Sequence, residues 1–177
     1  MNGPNLVVSE IFGPTFQGEG PSAGQRAAFL RLAGCNLACS WCDTPYTWDG
    51  RRFDLARESR RMVADEVLRR IRAGRAPLLV VTGGEPLLQQ DALLPVLLEC
   101  HRDGQAIEVE TNGTVMPEPA LVRLVSRFNV SPKLGNSAVP GEKRIRPDVL
   151  AGFRSTGKAI FKFVVEAPPR SRRDHAS

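Results

Sequence analysis

Three cysteines lie within eight residues, in the run Cys35-Asn36-Leu37-Ala38-Cys39-Ser40-Trp41-Cys42. Thiolates are soft ligands, suited to iron–sulfur clusters and to zinc. At this spacing three of them can hold three corners of a cubane [4Fe–4S] cluster and leave the fourth iron open to bind a molecule directly. A fully ligated electron-transfer cluster takes four cysteines. A structural zinc site also takes four ligands, in closely spaced pairs, and the histidines, His101 and His175, do not neighbour the loop. On spacing alone the iron–sulfur reading outweighs zinc, which stays open as the alternative. The fourth cysteine, Cys100, follows an apolar helical pattern at Leu93 to Leu98 and reads as a buried core thiol.

Further special residues follow apolar runs. Thr82-Gly83-Gly84-Glu85-Pro86 comes after Pro77 to Thr82; Glu110-Thr111-Asn112-Gly113 closes Ala106 to Thr111; Ser131-Pro132-Lys133 closes Phe128 to Ser131. Paired glycines permit positive φ and close backbone approach. Taken singly, each of these is a turn signal.

The elements that must position these groups alternate. Strand-like runs at Ala27 to Leu32, Pro77 to Thr82, Ala106 to Thr111, Phe128 to Ser131 and Ala159 to Val165 are separated by helical patterns. In those patterns Val63, Val67 and Ile71 recur with Leu68 beside them, then Leu93, Leu94, Leu97 and Leu98, then Leu121, Val122, Leu124 and Val125. Alternation of this kind predicts parallel β/α units. About five core strands are too few for a closed eight-stranded barrel, so the expected fold is α/β, an open partial (β/α) barrel. Val7 to Phe12 is expected as an extra strand. Ligands of such sheets sit at the carboxyl ends of the strands, which is where the special residues fall.

The length suits one domain, expected over residues 1–166, with 167–177 (APPRSRRDHAS) as an unstructured tail of turn and charge composition. The net charge of +5 comes with few aromatics and no basic stripe interleaved with them, which argues against nucleic acid. No apolar run approaches the roughly 20 residues of a membrane span, and Met1 to Ser9 has no secretory pattern. A cytoplasmic location is the resulting expectation, and there clustered cysteines are metal ligands more often than disulfides.

The three-cysteine loop after a strand, with Trp41 before its last cysteine and Gly-Gly-Glu-Pro at the next strand end, resembles the radical S-adenosylmethionine superfamily. Three more features resemble 7-carboxy-7-deazaguanine synthase within it: Thr15-Phe16-Gln17-Gly18-Glu19-Gly20, then Phe29 to Cys35 with Arg31 four residues before the first cysteine, and Cys42-Asp43-Thr44 with Tyr46 beyond. The resemblance runs from about Val8 to about Val165.

The resemblance implies a radical lyase. It would convert 6-carboxy-5,6,7,8-tetrahydropterin to 7-carboxy-7-deazaguanine with loss of ammonia, in queuosine and 7-deazapurine biosynthesis. It implies a [4Fe–4S] cluster on Cys35, Cys39 and Cys42, S-adenosylmethionine cleaved to a 5′-deoxyadenosyl radical, and Mg²⁺ at Thr44. The cofactor is expected at Gly83, Gly84, Glu85, Glu110, Ser131 and Lys133, with Glu85 stabilising the turn or the bound charge. The pterin is expected at Gln17, Gly18, Glu19, Arg31 and Thr82, with Arg31 on its carboxylate. Expected partners are an electron donor such as flavodoxin or ferredoxin and a second copy in a homodimer, with no nucleic acid and no membrane. Relative to the family the barrel is expected to be shortened at its C-terminal end, with an apolar edge left near Phe161 and Phe163. Two rival readings are a glycyl-radical-enzyme activase and a non-catalytic iron–sulfur or zinc module.

Overall fold

The computed structural model describes residues 5–166; the expected tail lies outside them. Seven strands form one mixed sheet in the order β3-β1-β2-β4-β5-β6-β7. Its parallel part is β2 (Arg26–Leu32), β4 (Leu78–Gly83), β5 (Ala106–Thr111), β6 (Arg127–Val130) and β7 (Ala159–Phe161). All four pairings among these are parallel. These are the five expected core strands, in an unclosed sheet.

On the other side, β1 (Leu6–Phe16) pairs antiparallel with β2 and with the short β3 (Arg60–Met62). β1 is longer than the expected extra strand. A register shift at Gly13-Pro14 lets it bend and continue to Phe16 beside β2. β3 left no sequence signal, because Met62 is its sole buried residue beside exposed Arg60 and Arg61.

The helices are α1 (Leu55–Glu58), α2 (Ala64–Ala73), α3 (Gln90–Arg102), α4 (Pro119–Leu124), α5 (Gly141–Arg144) and α6 (Pro147–Ser155). The apolar stripes of α2, α3, α4 and α6 pack with Leu30, Leu79, Val81, Ile107, Val109, Phe128 and Val130 in the main core. Cys100 is buried there, and its thiol is pushed up to about 11, mainly by that burial. Val63, read as a helical core position, is instead the exposed N-terminal flank of α2. α6 carries only Val149 and Phe153 as buried anchors, too sparse a pattern to read without the sheet beneath it. β7 ends at Phe161 rather than Val165, because at the sheet edge it has β6 on one side only. Phe163 and Val164 are exposed beyond it.

Strand alternation divides the sheet chemically. The residues facing the helices are apolar along the middle of the strands, at Ala28, Leu30, Leu79, Val81, Ile107, Val109, Phe128 and Val130. The opposite face starts apolar, with Ala27, Phe29, Leu78 and Val80 in a second small cluster. It turns polar toward the strand ends, at Arg31, Thr82, Glu110 and Asn129. The period-two geometry of strands thus lays the core on one face and a polar wall on the other.

Candidate functional site

A cavity of about 700 Å³ opens at the carboxyl ends of the parallel strands, within the range of small-molecule sites. Cys35, Cys39 and Cys42 all line it, together with Thr44, Gly83, Gly84, Glu110, Ser131 and Lys133. Gln17, Gly18, Glu19, Arg31 and Thr82 line it as well. Of the residues expected to hold the cluster, Mg²⁺, cofactor or pterin, Glu85 alone stays out of the wall.

The cysteine loop leaves β2 and is fixed by its neighbours. The Leu37 amide donates to Cys35 Sγ at 3.4 Å, and the Trp48 indole Nε1 donates to Cys42 Sγ at 3.3 Å. Asn36 and Asn112 tie the loop to the end of β5: Asn112 Nδ2 donates to Asn36 Oδ1 at 3.0 Å, and Asn36 Nδ2 donates to Thr114 Oγ1 at 2.7 Å. Burial pushes the Cys35 thiol up to about 11; the Leu37 amide opposes this, and Glu85 and the other two thiols add to it. Cys39 is raised by burial too, against the charge of Lys133. The thiols feel one another electrostatically, yet among the described residues no three His, Cys, Asp or Glu side chains converge on a single ion position. All three thiols line one cavity, and soft thiolates in that number suit an iron–sulfur cluster, whereas a structural zinc site takes four ligands.

The glycine turn has a steric reason. A Cβ on Gly83, whose φ is +140°, would sit 2.1 Å from the Leu32 carbonyl oxygen. On Gly84 it would sit 2.1 Å from the Gly34 oxygen and 2.8 Å from Cys35 Cβ. The two glycines are therefore where β4 passes directly against the start of the cysteine loop. Glu85 lies beneath the turn with no exposure. Its carboxyl accepts from the amides of Leu87 at 3.0 Å and Asn112 at 2.7 Å and from Thr111 Oγ1. Burial nevertheless raises it to about 7, the amide hydrogen bonds only partly offsetting the lost solvation. These hydrogen bonds tie the turn after β4 to the end of β5.

On the far wall Glu110 joins two residues distant in sequence: Gln17 Nε2 donates to its Oε1 at 3.2 Å and Thr82 Oγ1 to its Oε2 at 2.8 Å. Expected beside the cofactor ribose, Glu110 is engaged here by two residues expected at the substrate. Arg31 lies over the Phe12 ring at 5.6 Å, and its Nε is 3.8 Å from Glu10, too far for a hydrogen bond. Lys133 Nζ donates to Ser131 Oγ at 3.1 Å and sits 5.3 Å over the Trp41 ring. Thr44 Oγ1 donates to Asp43 Oδ1 at 3.3 Å, so an acidic oxygen adjoins the hydroxyl.

Several groups escaped the sequence reading. Lys162 lines the cavity and contacts Glu19; burial holds its ammonium below the usual value. It was hidden inside the apolar run Ala159 to Val165, one residue past the end of β7. Glu108, 2 % exposed, accepts from Ser22, Arg127 and Asn129 and anchors the Gly20–Ser22 turn to β5 and β6. The alternation in AIEVET was its one visible trace. Three buried polar atoms on cavity-lining residues have no partner among the described residues: Arg31 Nε, Trp41 Nε1 and Asn129 Oδ1. Unpaired buried polar atoms are uncommon and costly, and in a cavity wall they fit a polar ligand.

Comparison with known proteins agrees with this geometry. The family model described as "Radical SAM superfamily" matches residues 30–148. The chain is 39% identical over 162 residues to a 7-carboxy-7-deazaguanine synthase of Hyperthermus butylicus, covering 90% of this chain and 65% of that protein. It is 40% identical over 163 residues to that of Pyrobaculum aerophilum, covering 92% and 68%. To the Bacillus subtilis protein of the same name it is 39% identical over 133 residues, covering 72% and 51%. It thus spans about half to two thirds of the length of these relatives. The crystal structure of QueE from Escherichia coli superposes with a TM-score of 0.62 at 25% identity, covering 90% of this chain and 84% of that one. With a matching superfamily model over most of its length and a relative of that name at 40% identity covered to 68%, the chain belongs to the 7-carboxy-7-deazaguanine synthase family of the radical SAM superfamily.

Proposed function

We propose that this chain converts 6-carboxy-5,6,7,8-tetrahydropterin to 7-carboxy-7-deazaguanine with loss of ammonia, using a [4Fe–4S] cluster on Cys35, Cys39 and Cys42, S-adenosylmethionine and Mg²⁺. The observation that carries the reading is the shared cavity. Three thiols from one loop face, across about 700 Å³, a wall made of Gln17, Arg31, Thr82 and Glu110. When bound, the cluster and S-adenosylmethionine together supply the radical chemistry that starts the ring contraction.

The chain's own residues divide the remaining work. Ser131 and Lys133 offer a hydroxyl and an ammonium to an amino-acid carboxylate. Gly83 and Gly84 let the turn pack against the cysteine loop, held in shape by Glu85, so that their backbone lines the cavity beside the thiols. Arg31, with an unpaired Nε, offers a planar fork to the pterin carboxylate. Gln17, Gly18 and Glu19 line the side where the amide and amino edge of a pterin would lie, and a buried donor–acceptor array selects strongly for its partner. Thr44, with Asp43 beside it, gives hard oxygens for Mg²⁺, which takes few protein ligands. An electron donor of the flavodoxin or ferredoxin type, a homodimer, a cytoplasmic setting and a role in queuosine biosynthesis belong to the same reading.

The test is an anaerobic assay by mass spectrometry with reconstituted cluster, reductant, S-adenosylmethionine, Mg²⁺ and the tetrahydropterin. Deazaguanine product together with 5′-deoxyadenosine is expected. Deoxyadenosine alone would overturn the substrate assignment, and neither species would overturn the radical chemistry.

A further inference from the structure

The three thiols do not share one environment. Cys42 Sγ accepts a hydrogen bond from Trp48 Nε1 at 3.3 Å. Cys35 Sγ accepts from the Leu37 amide at 3.4 Å and more weakly from Asn112 Nδ2 at 3.9 Å. For Cys39 no donor to sulfur is found among the described residues. The indole thus gives Cys42 the shortest donor contact of the three, and from a side chain rather than from the backbone.

The indole is also aimed. Trp48 lies six residues beyond Cys42, past the Pro45–Thr47 turn, and its amide donates to the Pro45 oxygen at 3.1 Å. Thr47, 1 % exposed, is pinned twice: its hydroxyl donates to the Thr44 oxygen at 2.8 Å, and its carbonyl accepts from the Gly34 amide at 2.7 Å. Gly34 immediately precedes Cys35, so one stapled turn fixes Trp48 relative to both ends of the cysteine loop. A surface aromatic packed only for area would need no such alignment of its N–H.

We propose that Trp48 is a positioning residue that acts through Cys42, its indole N–H drawing charge from the Cys42 thiolate and so raising the reduction potential of the cluster. The inference rests on the cluster assignment made above. An N–H···S hydrogen bond stabilises the more negative, reduced state of an iron–sulfur centre, and such contacts are a principal means by which proteins tune it.

The experiment is a redox titration, followed by electron paramagnetic resonance, of the reconstituted protein and two variants. One is Trp48→Phe. In the other, 3-benzothienylalanine replaces Trp48, keeping the bicyclic shape with sulfur in place of the N–H. Iron and sulfide content report loading separately from tuning. The expected result is full loading in all three and a midpoint potential that moves negative by the same direction and similar extent in both variants. A wild-type potential in the benzothienyl variant would overturn the proposal, including where Trp48→Phe alone shifts, since the effect would then belong to packing. Wild-type protein that loads no four-iron cluster would instead overturn the underlying assignment, and with it this inference.

Discussion

Gln17 and Glu110 are 93 residues apart in the chain and meet through a 3.2 Å hydrogen bond on the cavity wall. Glu110 is held at its other oxygen by Thr82, so one carboxylate joins the N-terminal loop to two barrel strands. Replacing it tests whether that wall serves the substrate or the cofactor. Glu110→Gln keeps the shape and removes the charge. Hydrogen bonds to charged groups are worth about 1.5–3 kcal/mol, so product formation should fall roughly 10- to 100-fold. If the wall serves the pterin, formation of 5′-deoxyadenosine without product should persist; a parallel loss of both would keep Glu110 at the cofactor, as the sequence resemblance implies.

Gly84→Ala is expected to damage the cluster site from outside it. The new Cβ would meet the Gly34 oxygen and Cys35 Cβ, both closer than atoms pack. Overpacking against backbone costs roughly 1–3 kcal/mol, which for a chain of this size lowers Tm by roughly 2–4 °C per kcal/mol. Thermal denaturation should register that drop, and iron content after reconstitution should fall with it, because relief requires the cysteine loop to move.

Glu85 makes stability depend on pH. Its folded-state value is about 7, above the 4.5 of a free carboxyl, because burial penalises the charged form. Below about pH 4.5 both states hold the proton and the term is neutral relative to that reference. As pH rises toward 7 the unfolded chain ionises first, and stability falls by about 3 kcal/mol across the window. Urea denaturation between pH 4.5 and 7.5 should show that decline in the wild type and a flatter profile in Glu85→Gln.

Thr44→Ala removes one of the two hard oxygens at the rim. The Mg²⁺ concentration for half-maximal product formation is expected to rise on the order of tenfold. An unchanged Mg²⁺ titration would take Thr44 out of the metal site.

Phe128 on β6 and Phe153 on α6 stack edge to face at 5.3 Å, both without exposure. They fasten the C-terminal part of the sheet to its covering helix. Phe153→Ala should cost about 3–5 kcal/mol, read as a lowered urea midpoint. Because neither ring reaches the cavity, S-adenosylmethionine binding by protein that remains folded should be unchanged.

Local pattern was enough to show much of this protein. Cysteine spacing is set by chemistry between near neighbours, so the loop of Cys35, Cys39 and Cys42 was legible directly. The strands leading to Thr82, Glu110 and Ser131 announced themselves as short runs rich in apolar and β-branched residues, each ended by turn residues. Turn chemistry marked Gly83 and Gly84, although only the packed structure gave the reason, which is the backbone of Leu32 and Gly34 pressing against them. Tertiary structure alone decided the rest. Glu108 and Asn129 look like ordinary strand residues until β5 and β6 pair and bury them in one network with Ser22 and Arg127. Lys162 was concealed in an apolar run, and Trp48 in a turn, because their partners Glu19 and Cys42 are reached through folding rather than through spacing. Sequence periodicity says which face a side chain takes; which groups meet across that face depends on strand order and register, and these are settled only when the whole sheet assembles.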